Sequence, residues 1–153
     1  MHRGRFVMFN ISYAIIGAVF MVGMALFAFL KGDRAEQFGA GAYLFGWFAS
    51  LVLQQNEGFR SVPFGLLVID ICMLLAFCAI AWRYKHAWPV WAAGLQLITV
   101  MSQVMRLTSQ NVHVASLYTV TNLTSYLIII SIAVGTFYAW QERRAAALIG
   151  RNS

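Results

Sequence analysis

Charge is scarce in this sequence. Asp, Glu, Lys and Arg make up 10% of its 153 residues, and only five residues are acidic. Soluble domains carry about 25% charged residues, so this chain cannot clothe itself in a polar surface. Proline occurs twice, as Pro63 and Pro89, and cysteine twice, as Cys72 and Cys78. Two cysteines six residues apart on one helix are badly placed for a disulfide. They read as small core residues and carry no information about redox compartment.

Metal and nucleotide motifs are missing as well. There is no CxxC, CxxCH or HExxH, and no carboxylate–histidine cluster, so no metal or cofactor is expected. The stretch "GAGAYLFG" at 39–46 lacks the strand and the lysine of a phosphate-binding loop. No nucleophile–base set stands out, so no catalytic residue is expected. His2, His86 and His113 read as ordinary interfacial histidines. The net charge of +6 comes from short basic clusters between apolar segments, a pattern of membrane topology rather than nucleic-acid binding.

Hydrophobic residues are abundant, at 61%. A hydrocarbon core about 30 Å thick takes roughly 20 helical residues to cross. Four segments qualify: 6–30, 62–82, 88–107 and 112–140. The first is too long for the apolar part of a signal peptide and has no A-x-A site, so it reads as a retained span. Pro63 and Pro89 fall in first turns, where a missing N–H costs nothing. Segment 38–53 is shorter and carries Gly39, Gly41 and Gly46, which leaves it open between a fifth span and a surface segment. With an inside N-terminus, a fifth span would put both "RYKH" and "QERR" outside against the positive-inside rule, so it is expected to lie on or dip into the bilayer within the first outer loop.

Four spans with an inside N-terminus put Arg3, Arg5, Arg83, Lys85, Arg143, Arg144 and Arg151 in the cytoplasm, as the positive-inside rule asks. Trp82, Tyr84, Trp88, Trp91, Tyr138 and Trp140 then form an aromatic belt at that face. The expected fold is an all-α, integral membrane four-helix bundle. It is a single polytopic domain over 1–153, N-in and C-in, in a bacterial inner membrane.

One carboxylate, Asp70, stands inside the run "VPFGLLVIDICMLLAFCAIAW". A bare charge at such depth costs at least about 2.5–3.5 kcal/mol, so Asp70 must be neutral, paired or wetted. The third segment lines up Gln96, Thr99, Gln103 and Arg106 on one helical face, with Ser102 beside it. The fourth brings Asn122 to the same depth, near Ser116, Thr119 and Ser125. Asp70, Thr99, Gln103, Arg106 and Asn122 are therefore the expected intramembrane polar cluster, with Asp70 and Arg106 paired. Such a cluster either glues helices together or handles protons or ions. Ala14, Ala18, Ala25 and Ala28 give the first segment a small-residue packing face. The leading expectation is a non-enzymatic subunit or assembly partner of a homo- or hetero-oligomeric membrane complex, embedded in the lipid bilayer. The alternative is a small proton- or ion-coupled transporter or channel that titrates Asp70.

Overall fold

The computed structural model describes residues 3–56, 62–108 and 114–149. These form five helices: α1 (Arg3–Lys31), α2 (Arg34–Asn56), α3 (Val62–Tyr84), α4 (Ala87–Thr108) and α5 (Val114–Ile149). α3, α4 and α5 contain stretches long and apolar enough to cross a membrane, with a shorter apolar stretch at Ile16–Lys31 of α1. The composition and these helices are those of an integral membrane protein.

Helix count is the first correction to the sequence reading. Segment 38–53 is the middle of α2, which runs from Arg34 to Asn56. A helix of that length reaches about 34 Å, enough to match the hydrocarbon core. It is part of the bundle rather than a loop segment, because it packs against α1, α3 and α5 and puts Ala40 and Tyr43 into the core. The three glycines do not break it. Gly39 and Gly46 instead make room for neighbours, the Trp88 indole and the Met73 thioether respectively, where any Cβ would collide.

The turns explain where the helices begin. Gly32 N–H bonds Ala28 O at the end of α1. Asp33 immediately precedes α2, and its N–H donates to Glu36 Oε2 at 2.9 Å, three residues on, as in a capping box. Lys85 has a positive φ, the left-handed conformation that ends α3 before α4 restarts at Ala87. Pro63 and Pro89 sit in the first turns of α3 and α4, as expected.

Each helix packs on its neighbours in sequence, and α1 packs on α5, so the five close into a ring, with α2 also touching α5. Successive helices alternate in direction, so an odd number leaves α1 and α5 parallel. Two contacts fix that register: Gly17 lies beside Tyr126, and Arg143 meets Asp33 at the far end. The start of α1 and the end of α5 therefore lie at opposite ends of the bundle. Five helices stand where four were expected, and the odd count removes the basis for placing both ends of the chain on one side.

One cluster at the centre draws on every helix. It includes Met21, Met24 and Ala28 of α1, Tyr43 of α2, Phe77 of α3, Trp88 of α4, and Ile128 and Ile132 of α5. Ala25 and Ala28 are buried, as the small-residue face of α1 requires, whereas the side chain of Ala14 lies outside the described residues. Large apolar side chains such as Phe45, Trp82 and Trp91 point away from the bundle. Cys72 and Cys78 do too, so they are not core residues: they lie on the outward side of α3.

Candidate functional site

Asp70 is half-buried on α3, facing α4. Its two oxygens are taken by two amides on that helix. Gln96 Nε2 donates to Oδ1 at 2.9 Å, and Gln103 Nε2 donates to Oδ2 at 3.2 Å. Residues seven apart on a helix return to the same face two turns along, so Gln96 and Gln103 bracket the carboxylate from above and below. Both glutamines are buried. Gln96 also reaches the Asp70 backbone carbonyl at 3.3 Å, tying the side chain to the helix that carries it.

Arg106 meets this group one step away. Its Nη1 donates to Gln103 Oε1 at 2.9 Å, and the other end of the same amide donates to Asp70. Gln103 thus accepts from the cation and donates to the carboxylate, and each bond polarises the other. Thr99 turns to α5, where its hydroxyl shares a 2.9 Å hydrogen bond with Thr124. Asn122 is exposed on α5 and faces outward. Of the five residues expected to meet, three are linked through Gln103, one bridges α4 to α5, and one points away.

A second polar group lies at the end of the bundle where the α1–α2 and α3–α4 turns meet. Glu36 is fully buried there. Its Oε1 accepts from Trp88 Nε1 at 2.8 Å and meets His86 Nδ1 at 3.2 Å, while Oε2 accepts from the Asp33 N–H. A carboxylate oxygen only accepts, so the imidazole proton sits on Nδ1 in this pairing. The Trp88 ring fills a slot between Gly39 of α2 and Gly135 of α5, and Ser131 Oγ bonds its carbonyl at 3.0 Å. Trp88 is therefore an interhelical residue rather than part of an interfacial belt. Arg143 of α5 closes the same end: it pairs with Asp33 at 3.4 Å and bonds the Lys31 carbonyl.

Sequence reasoning passes over Glu36. Its signal is present in "GDRAE", where Gly32, Asp33 and Glu36 are the residue types that stop one helix and cap the next. His86, expected at the interface, is half-exposed against a buried carboxylate. His2, His113 and Arg151 lie outside the described residues. Among the described residues, no three of His, Cys, Asp and Glu come together as a metal site.

These features define a helical integral membrane protein with two internal polar groups, one amid the helices and one at their ends. No family model matches the chain, and no curated protein or solved structure matches it either.

Proposed function

We propose that the protein is a non-enzymatic polytopic membrane component whose buried polar groups hold its helices together, acting as a subunit or assembly partner of a membrane complex. All five helices cross the bilayer in this reading. The observation that carries it is the pairing of Asp70: both carboxylate oxygens are occupied by side-chain amides from one neighbouring helix. A carboxylate spent this way serves as glue, and it has both its acceptors satisfied without a passing ion. The core supports the same reading, since Phe77, Ile128 and Ile132 fill the ring's centre.

Charge supports an orientation. The end carrying Glu36 has Lys31, Arg34, Arg83, Lys85, Arg143 and Arg144, against Arg3, Arg5 and Arg106 toward the other among the described residues. The positive-inside rule then favours the Glu36 end in the cytoplasm and the start of α1 outside, in a bacterial inner membrane.

The test compares Asp70→Asn with Gln103→Leu in purified protein and in proteoliposomes. Gln103→Leu removes the hydrogen bonds to Asp70 Oδ2 and from Arg106 Nη1. Buried polar pairs in membrane bundles are worth about 0.6–1.7 kcal/mol each, so a loss of about 1–3 kcal/mol is expected. Neither variant should alter proton or cation flux beyond the leak of empty vesicles. Flux in the parent that Asp70→Asn abolishes at unchanged stability would replace this reading with the transporter alternative.

A further inference from the structure

An open groove of about 680 Å³ runs along the outside of the bundle between α4 and α5, starting at the end that carries Glu36. Its walls are apolar, from Trp91 and Leu95 on one side to Leu127, Ile130 and Val134 on the other. Two polar atoms midway are spent inside the protein: Ser131 Oγ donates to the Trp88 carbonyl, and the Trp88 N–H donates to Glu36. The titratable side chains of the lining are His86 and Glu142 at the mouth and Tyr138 one turn before Glu142. The trough follows α4 from Ala87 to Leu95. That stretch of helix is about 12 Å long, close to the depth of one half of a bilayer's hydrocarbon.

A polar mouth over an apolar trough fits a molecule with one polar head and a long hydrocarbon body. Charge selects the head. Lys85 immediately precedes His86, Arg83 lies two residues earlier, and Arg144 stacks over Trp140 at 4.7 Å just beyond Glu142. The acidic groups nearby are largely engaged, Asp33 by Arg143 and Glu36 by Trp88 and His86. Glu142 alone opposes this basic excess at the mouth. Basic pockets between membrane helices on the cytoplasmic side are suited to anionic headgroups.

We propose that this groove binds an anionic phospholipid, with one acyl chain lying along α4 and α5 over Trp91 and Val134 and the phosphate beside Lys85 and His86. The proposal rests on the membrane embedding described above.

The experiment uses the full chain with Trp88 and Trp91 as its remaining tryptophans, Trp47, Trp82 and Trp140 being changed to Phe. It is reconstituted in phosphatidylcholine containing a small fraction of brominated-chain phosphatidylglycerol or brominated-chain phosphatidylcholine. One lysine near an anionic headgroup is worth about fivefold in association, so fluorescence quenching should require about fivefold less of the phosphatidylglycerol. Lys85→Gln should remove that preference. Val134→Phe keeps every charge and fills the trough, so it should also bring phosphatidylglycerol down to the phosphatidylcholine level. Equal quenching by the two lipids in the parent overturns the proposal. So does a preference that survives Val134→Phe, which would be attraction to the charged surface alone. Absence of quenching by either lipid also overturns it, and a dimer by mass measurement would then identify a second copy as the occupant. Embedding is read separately, from quenching of a protein retaining only the outward-facing Trp82 by brominated phosphatidylcholine.

Discussion

Glu36 offers the sharpest test of how the helices are arranged, because three donors from two turns converge on a side chain with no exposure. Glu36→Gln keeps the shape and replaces one acceptor oxygen by an NH₂ group. If the amide oxygen faces Trp88 and His86, the NH₂ meets the Asp33 N–H, donor against donor. If it is flipped, the NH₂ meets the indole N–H instead. Either way at least one buried donor is stranded, at a cost of about 1–3 kcal/mol. Glu36→Leu strands all three, and removing one member of a buried charged group costs about 3–5 kcal/mol. His86→Ala should cost less than either, since the His86 side chain is 40% exposed and water can replace it. Reversible unfolding in mixed detergent micelles, followed by far-ultraviolet circular dichroism, measures all three. The loss should be greatest for Glu36→Leu, smaller for Glu36→Gln and smallest for His86→Ala. A Glu36→Leu protein within about 0.5 kcal/mol of the parent, the scatter typical of exposed sites, would refute the burial of this group and the five-helix ring with it.

Glycine substitutions should separate by what a Cβ would meet. Gly39→Ala and Gly135→Ala drive a methyl group into the Trp88 ring, whereas Gly94→Ala meets nothing nearby. The first two should each cost about 1–3 kcal/mol in the same unfolding measurement, and the third should be neutral or stabilise by up to about 1 kcal/mol. With Cys72 and Cys78 changed to Ser, single cysteines at positions 34, 85 and 144 should react with an impermeant maleimide from one side of oriented vesicles, and a cysteine at 108 from the other. Reaction of 34 and 85 from opposite sides would restore the four-span arrangement.

The apolar helices were legible because length and hydropathy need no knowledge of neighbours. α3 and α4 begin where Pro63 and Pro89 suggest, each proline falling in a first turn. The glutamine stripe was legible for a similar reason, since helical spacing alone puts Gln96, Thr99, Gln103 and Arg106 on one face. What each of them touches was not. Depth places Asn122 level with Asp70, but rotation about the α5 axis turns Asn122 outward and brings Thr124 to Thr99. That rotation is set by packing between helices, which spacing within one helix does not encode. The same limit applies to Cys72 and Cys78: small apolar residues on a helix of nearly uniform hydropathy carry no sign of which face is buried. α2 was hidden by its short apolar stretch and by the charge count, and the use of its glycines shows only once Trp88 and Met73 are seen filling the space they leave.

Charge counting depends on a choice made before any charge is counted. With the start of α1 assumed inside, a fifth span sends both "RYKH" and "QERR" outside, and the rule rejects it. With the start of α1 outside, the same five spans bring those two clusters inside together with Lys31 and Arg34, and the rule is obeyed. The packing bears on which segments share an end, which is the same in both five-helix arrangements, and the charge rule alone chooses between them. Glu36 and Asp33 at the head of α2 touch His86, Trp88 and Arg143, so the α1–α2 turn, the α3–α4 turn and α5 beyond Ala139 share one end. Basic residues that the sequence reading divides between two faces are therefore gathered on one, and the two carboxylates among them are what hold the three chain segments together.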